Sequence, residues 1–255
     1  MRRALYAEVL KSRNSFAVWL SLAGTAANLL MFFILHLFGQ ESVSLDSTPN
    51  PWEAWILSHY AGMAFMMLPL YVIILAALVH FMEHRHDMWT QLYALPVGRQ
   101  EYVMAKVSFI FLLFVTAHLL FVTGLLITGF IYGLAIPDSG LATATPPATL
   151  LLRLAMKTVV SVIGLMCVQS WISRTFPHFI VSLLVGILGF VCAGLIGPEW
   201  PGIAWIPWGQ PMVLMPEVLG EITLPTFGGL TTAEWGSLGY GVVFLGLALF
   251  REVQK

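Results

Sequence analysis

The sequence has little charge and almost no cysteine. Only 10% of its 255 residues are charged and 58% are hydrophobic, whereas a soluble domain carries about 25% charged residues. This deficit excludes an ordinary soluble domain and predicts an integral membrane protein. The net charge of −1 gives no basic field that would favour nucleic acid. Both cysteines, Cys167 and Cys192, lie inside apolar runs, so we expect no disulfide framework.

Two common catalytic signatures are also missing. The sequence contains no Gly-x-Ser-x-Gly nucleophile elbow and no G-x-x-x-x-G-K-[ST] phosphate loop. The chain therefore cannot bind ATP in the usual way, and any ATP-driven activity requires a second chain. We expect no catalytic residue, no metal ion and no cofactor in this chain.

Long apolar runs are what the sequence has in abundance. A helix of roughly 20 apolar residues crosses a bilayer, and six runs approach or exceed this length. They are predicted at about 16–38, 55–81, 107–136, 151–172, 179–197 and 235–250. The predicted fold is an all-α integral membrane protein with a single transmembrane domain over residues 1–255.

Several residues inside these spans carry structural expectations. Pro69 is expected to kink the second span. Asn28 and His118 are predicted to hydrogen-bond a neighbouring helix, and for His118 a role in substrate binding or gating is the alternative. Gly129 and Gly133 form a GxxxG pattern, which is typical of a close helix contact.

The positions of Lys and Arg predict the topology. Ten of the twelve lie before the first span, in residues 82–106, in residues 173–178 or after the last span. The loops 39–55, 137–149 and 198–234 contain none. Both termini and residues 82–106 are therefore predicted to be cytoplasmic, and the three loops to face outward.

Two segments outside the spans suggest membrane-surface elements. Residues 1–15 are basic, and Leu5, Val9 and the following Phe16 recur at helical spacing, which predicts an amphipathic cytoplasmic helix. A basic flank that only orients the first span is the alternative. The Pro- and Trp-rich loop 198–234 predicts an interfacial aromatic belt, with a re-entrant gating element as the alternative.

Two basic residues lie within the fourth span. Arg153 and Lys157 are one helical turn apart, and intramembrane charge indicates function by default. They could contact an anionic group of a substrate or lipid, or act in gating. Alternatively, they pair with Glu199, Glu217 or Glu221 of the outer loop, or extend to the interface.

Residues 83–99 predict a short amphipathic helix. Leu92 and Leu95 lie on its apolar face, Asp87 is a suitable N-cap, and Pro96 ends it. A helix of about two turns is marginal in water by itself. It must therefore pack, with one face on the membrane domain and the other on a cytoplasmic partner.

The residues His80, Glu83 and His84 spell H-x-x-E-H, the inverted zinc-peptidase signature. The two histidines share a helix face and could bind zinc, with the glutamate activating water. The simpler interpretation is the cytoplasmic end of a helix, where such residues collect, because the sequence offers no convincing third ligand.

The sequence of this cytoplasmic segment resembles that of a known protein family. The matching features are Glu83, Trp89, L-Y-A-L-P-V-G-R at 92–99, Tyr102 and Lys106. They resemble the cytoplasmic loop of bacterial ATP-binding-cassette exporter permeases of the drug, bacitracin and lantibiotic export or self-protection group. The basic amino-terminal helix and the six-span plan are similar as well. Gly98 departs from the serine that is more usual at its position.

The resemblance implies a fold like that of the ABCG-type, or type V, exporters. Helix 1–15 would be the connecting helix, and residues 83–99 the coupling helix seated in a groove of the ATPase. Two permeases, identical or related, and two ATPase chains that hold ATP and magnesium would assemble in the bacterial plasma membrane. The residues that would couple to the ATPase are Glu83, Trp89, Leu92, Leu95, Pro96 and Arg99.

The function that the resemblance implies is the permease subunit of an exporter. It would move an amphipathic substrate outward, such as an antibiotic peptide, a drug or a lipid-like molecule. The alternatives are a membrane scaffold or assembly protein that transports nothing, and the H-x-x-E-H metallopeptidase.

Overall fold

The computed structural model describes residues 2–38, 50–84 and 98–253. Its helices are α1 (Arg2–Ser12), α2 (Phe16–Leu37), α3 (Pro51–Gly62), α4 (Leu68–His84), α5 (Arg99–Ala135), α6 (Ala148–Thr175), α7 (Phe179–Ile196), α8 (Leu214–Val218) and α9 (Thr232–Val253). A π-helical turn, Met63–Met67, joins α3 to α4, and 3-10 helices lie at Pro137–Ser139 and Pro201–Trp205. Strands β1 (Thr226–Phe227) and β2 (Leu230–Thr231) form an antiparallel hairpin.

Six helical segments are long and apolar enough to cross a bilayer, which confirms the predicted all-α, six-span membrane fold. They are α2, α3 with α4, α5, α6, α7 and α9. The second span begins at Pro51, earlier than predicted. The reason is local: the Asn50 side chain accepts a hydrogen bond from the Trp52 N–H at 3.0 Å, and Pro51 suits the first helical turn.

The second span is the centre of the bundle. Helix α4 packs against α2, α5, α6 and α7, and Ile56, Tyr60, Ile73 and Leu75 are fully buried along the span. The kink predicted at Pro69 takes a different form. Proline offers no N–H to the carbonyl one turn earlier, and a π-helical turn directly precedes α4 at that point. The irregular hydrogen bonding therefore lies at Met63–Met67.

The GxxxG pattern in α5 allows close packing, but only half of it meets a helix. A Cβ at Gly129 would lie 2.6 Å from Trp52 Cζ3 and 2.8 Å from Trp55 Nε1, both on α3. A Cβ at Gly133 would lie 2.9 Å from that of Leu141, in the connection between α5 and α6. The predicted close contact is confirmed at Gly129, whereas Gly133 accommodates a loop.

The loop predicted at 198–234 is ordered as far as residue 231 and forms a folded cap, since the last helix begins at Thr232. Helix α8 contacts α3, the π turn and α6, so it enters the bundle from the end opposite the termini. The re-entrant gating role of this segment remains a prediction. Trp200 and Trp205 are exposed, as an interfacial belt requires, but Trp208 packs against Gly189 of α7. The Trp-rich segment is therefore partly a belt and partly a packing element.

Helix α1 lies beside α5 at the end of the bundle that holds the termini. Glu8 and Ser12 are buried on its inner face. Tyr6, Leu10 and Phe16 are exposed, which leaves apolar side chains available to a membrane surface. That surface role remains a prediction.

Candidate functional site

The predicted coupling segment lies between two well-packed helices. Trp89, Leu92, Leu95 and Pro96 fall in residues 85–97, outside the described part of the chain. Helix α4 ends and helix α5 begins on either side of this segment, so Glu83 belongs to the last turn of α4 and Arg99 to the first turn of α5.

The two helices that flank the segment are tied together by Lys106. This residue is 3% exposed, and its Nζ donates a hydrogen bond to the Val79 carbonyl of α4 at 3.3 Å. The ammonium also lies 5.3 Å from the centroid of the Tyr102 ring, within cation–π range. A buried hydrogen bond therefore connects the first part of α5 to α4.

The first histidine of the H-x-x-E-H pattern, His80, faces the bundle. His80 is 3% exposed, and its Nδ1 lies 2.9 Å from the Ala76 carbonyl one turn earlier in α4. Among the side chains that the structure describes, which do not include those of Glu83 and His84, no three His, Cys, Asp or Glu residues form a group suited to a metal ion.

Lys157 lies at the centre of a largely buried ion cluster. Its Nζ is 2.8 Å from Glu217 Oε2 on α8 and 3.4 Å from Glu234 Oε1 on α9. The three side chains are only 14%, 15% and 5% exposed, respectively. Lys157 is about 14 Å along α6 from the start of the helix at 1.5 Å per residue, so the cluster lies inside the bundle.

The pairing of Lys157 with Glu217 confirms one of the predicted alternatives. The sequence does not indicate Glu234 as a partner, because the predicted last span begins at 235 and leaves this residue at the end of the outer loop. Thr231 fixes the Glu234 carboxylate: its N–H and Oγ1 donate to Oε2 at 2.6 and 3.0 Å. The three charged side chains of the cluster thus come from three different helices, α6, α8 and α9.

Arg153 behaves differently from Lys157. Its side chain is exposed, and it makes no hydrogen bond or ion pair with any residue that the structure describes. This placement agrees with the interpretation that its long side chain extends toward the interface.

His118 is buried among aromatic rings. It is 6% exposed and stacks between Phe114 and Phe121, with ring centroids 5.9 and 6.1 Å away. Its Nε2 has no hydrogen-bond partner in the described residues, and neither amide atom of Asn28 has one. The hydrogen bonds predicted for these two residues are therefore wrong.

Comparison with known protein families identifies the chain's family. The family model described as "ABC-2 family transporter protein" matches residues 4–193, which is well over half of the chain. The matched region runs from α1 into α7 and includes the segment between α4 and α5. No curated protein and no solved structure matches the chain.

Proposed function

The chain belongs to the ABC-2 family of transporter membrane proteins, and from this premise we propose that it is the permease of an exporter for amphipathic molecules. Membership makes it a membrane-spanning subunit of an ATP-binding-cassette transporter. The outward direction and the substrate class are our proposal. The ATP would be hydrolysed by a separate ATPase chain, and a second permease, identical or related, would complete the assembly in a bacterial plasma membrane.

The observation that carries this proposal is the family match over a bundle of six spans. The charged side chains of the described spans lie in their end regions or at the Lys157 cluster, where they are paired. A strongly charged substrate would find no free counter-charge midway through this part of the chain. An antibiotic peptide, a drug or a lipid-like molecule with a large apolar part suits such a bundle better.

A mechanical route runs from the ATPase side into the bundle. We place the ATPase contact at residues 83–99, with Glu83, Trp89, Leu92, Leu95, Pro96 and Arg99 as the coupling residues. Closure of the ATPase would move this segment, and Lys106 would transmit the movement from α5 to the central helix α4. Because α4 packs against four other helices, a shift of α4 changes the packing of most of the bundle.

The cap supplies the corresponding gate at the opposite end. Lys157 on α6 holds both α8 and the start of α9, so separating α6 from the cap breaks buried ion pairs. Such pairs have discrete closed and open arrangements, which is what alternating access requires.

The coupling role is tested with Leu92→Ala and Arg99→Ala. The permease is purified with its ATPase in lipid nanodiscs, and ATP turnover is measured with and without the permease. We expect each substitution to reduce permease-dependent turnover by about fivefold or more, the effect of losing a central interface contact. Arg251→Ala is the matched control, since this exposed arginine lies at the same end of the bundle but outside the segment.

Assembly must be measured in the same preparations. If the complex forms normally and both variants retain full turnover, residues 83–99 do not couple the two chains. A complex that fails to form places these residues in assembly, which is the scaffold alternative.

The direction of transport is tested with inverted membrane vesicles. A fluorescent amphipathic peptide or drug is added to the solution outside them, which contacts the cytoplasmic face of the membrane. An exporter accumulates the molecule in the lumen when ATP is added. ATP-dependent loss from preloaded vesicles would indicate import, and no movement with an active ATPase would favour a scaffold.

A further inference from the structure

Two histidines from different helices stack on each other at the end of the bundle opposite the termini. His36 lies in the last turn of α2, and His59 lies on α3. Their ring centroids are 5.1 Å apart and their planes differ by 18°. The Trp55 ring lies beside both, with centroids 4.6 Å from His36 and 4.4 Å from His59. Because histidine ordinarily changes charge between about pH 5 and 8, this pair is a candidate for proton binding.

Both ring nitrogens of His36 lie close to a hydrogen-bonding group. Nδ1 is 2.9 Å from the Phe32 carbonyl, one turn earlier in α2. Nε2 is 3.3 Å from the hydroxyl of Ser58 on α3. A carbonyl oxygen can only accept a hydrogen bond, so Nδ1 carries a proton in this arrangement. Whether Nε2 carries a second proton therefore depends on what Ser58 can donate or accept.

Ser58 can hydrogen-bond His36 in either protonation state. Its hydroxyl oxygen also lies 3.0 Å from the Trp55 carbonyl within α3, and a hydroxyl has one proton to donate and lone pairs with which to accept. When Nε2 has no proton, the hydroxyl donates to Nε2. When Nε2 has a proton, the hydroxyl accepts from it and donates to the Trp55 carbonyl. The contacts of Nδ1, Nε2 and Ser58 are all hydrogen bonds at once only when the His36 ring is positively charged.

The surroundings of His36 accommodate a positive charge. The carboxyl end of a helix carries a partial negative charge, which favours a cation in its last turn, and this is where His36 lies. The Trp55 ring is within cation–π distance of the imidazole. His36 is half-buried and directly precedes the last residue of α2. Water at the membrane surface can therefore deliver a proton to it.

His59 is not arranged to take up a second proton. It is fully buried, and its Nδ1 lies 2.8 Å from the Trp55 carbonyl. Its Nε2 has no hydrogen-bond partner among the residues that the structure describes. A proton on this nitrogen would bury an N–H without an acceptor beside another charged ring, and both effects are unfavourable. The stacked pair is therefore suited to one proton, on His36.

The other titratable groups around His36 do not fix its charge. Those that face it are His59 from α3 and Tyr132 from α5, whose ring centroid is 6.2 Å away. The Tyr132 hydroxyl donates to the backbone carbonyl of His36 at 3.4 Å. Among the residues that the structure describes, no carboxylate or ammonium group forms an ion pair with His36, and Glu53, in the first turn of α3, is the only acid of that helix. The charge of His36 is therefore set by the pH at this end of the bundle.

We propose that His36 is a proton-binding site at the end of the bundle opposite the termini, and that the bound proton strengthens the contact between α2 and α3. A proton from water binds the lone pair of Nε2, and the ring becomes positively charged. The Ser58 hydroxyl proton turns from Nε2 to the Trp55 carbonyl, so Ser58 makes two hydrogen bonds instead of one. Proton binding here needs neither ATP nor a partner chain, so it goes beyond the proposed transport function and does not depend on it.

The test is solid-state NMR of the full-length protein in lipid bilayers, with nitrogen-15 in its histidines. Spectra are recorded between about pH 5 and 8, because the signal of each ring nitrogen shows directly whether it carries a proton. The variants His36→Gln and His59→Gln identify the two sets of signals by their loss. We expect Nε2 of His36 to gain a proton as the pH falls through this range, while His59 keeps a proton on Nδ1 alone.

Ser58→Ala tests the link between the proton and the contact of the two helices. It removes the hydroxyl that accepts from Nε2 and should weaken proton binding to His36 about tenfold, because a hydrogen bond to a charged group is lost. By reciprocity, the proton then strengthens the contact that Ser58 makes. Ser161→Ala on α6 is the matched control and should leave the His36 titration unchanged. Both serines are buried, and each donates to the carbonyl three residues earlier at 3.0 Å.

The proposal is wrong if any of three results is obtained. The first is a wild-type His36 whose Nε2 stays without a proton down to about pH 5, a result that needs no variant to fold. The second is equal proton binding by Ser58→Ala and wild type, which would mean that the proton does not act on the contact between α2 and α3. The third is uptake of a proton by both histidines, which would mean that the stack does not select His36.

Discussion

At the scale of single residues, the most consequential feature is a charge buried inside the bundle. Lys157 has two carboxylates within 3.4 Å, and Thr231 donates two hydrogen bonds to one of them. Buried ions are tolerated when they are paired and hydrogen-bonded, and removing one partner is strongly destabilising. The cluster therefore holds the cap in place through electrostatics rather than through apolar contact alone.

The substitution Lys157→Met tests this explanation. It keeps an unbranched side chain of similar length but leaves Glu217 and Glu234 buried without their cation. We expect a loss of stability of about 3 kcal/mol, seen as a lower melting temperature of the purified protein. Arg153→Met, one turn earlier on the same helix, is the control and should change the melting temperature little, because Arg153 is exposed. Equal melting of both variants would contradict a stabilising role for the cluster.

At the scale of helices, the pair α6 and α9 makes the most intimate contact. The Ser237 hydroxyl donates to the Val160 carbonyl at 2.7 Å and accepts from the Gly164 N–H at 2.8 Å. It is thus inserted between two backbone groups that would bond each other in a regular helix. A Cβ at Gly164 would lie 2.8 Å from both the Cα and the carbonyl oxygen of Ser237. Only glycine allows this approach.

Gly164→Ala should therefore force α9 away from α6. The clash is with backbone, which cannot rotate aside, so we expect destabilisation of about 1–3 kcal/mol. Gly246→Ala is the control, because alanine favours helix over glycine by about 1 kcal/mol and nothing crowds that position. Thermal unfolding of the two variants measures the difference. A Gly164→Ala protein as stable as the control would mean that the helices can separate without cost.

At the scale of the whole molecule, the second span organises the bundle. It packs against α2 on one side and α6 and α7 on the other, so it is the most buried of the six spans. Helix α8 contacts the same span at its π turn. The predicted ATPase contact and the cap are thus both connected to one central element.

The orientation of the molecule is predicted from the basic residues and can be measured directly. Asp138→Cys and Glu221→Cys place thiols at exposed positions of the loops predicted to face outward. They should react with a membrane-impermeant maleimide in intact cells, whereas Arg251→Cys should react only after permeabilisation. The background variant lacks Cys192, which is exposed, and Cys167, which is buried. The reverse labelling pattern would invert the topology.

The six spans follow from the sequence because hydrophobic length is a local property. An apolar run of bilayer length must satisfy its own backbone hydrogen bonds, which leaves the helix as its structure. The same reasoning located the polar segment between α4 and α5, although most of its predicted coupling residues lie outside the described part of the chain. The pairing of Lys157 with Glu217 could be predicted from the sequence, because the adjacent outer loop offers few acidic residues.

Contacts between distant residues were decided only by the tertiary structure. The entry of α8 into the bundle depends on its packing against α3 and α6, which no periodicity records. The sequence predicted hydrogen bonds from Asn28 and His118 to neighbouring helices. Their neighbours in the structure are apolar instead. Sequence thus determined which segments cross the membrane. The fold determined which polar groups meet, because a hydrogen bond or an ion pair needs two atoms within about 3 Å of each other.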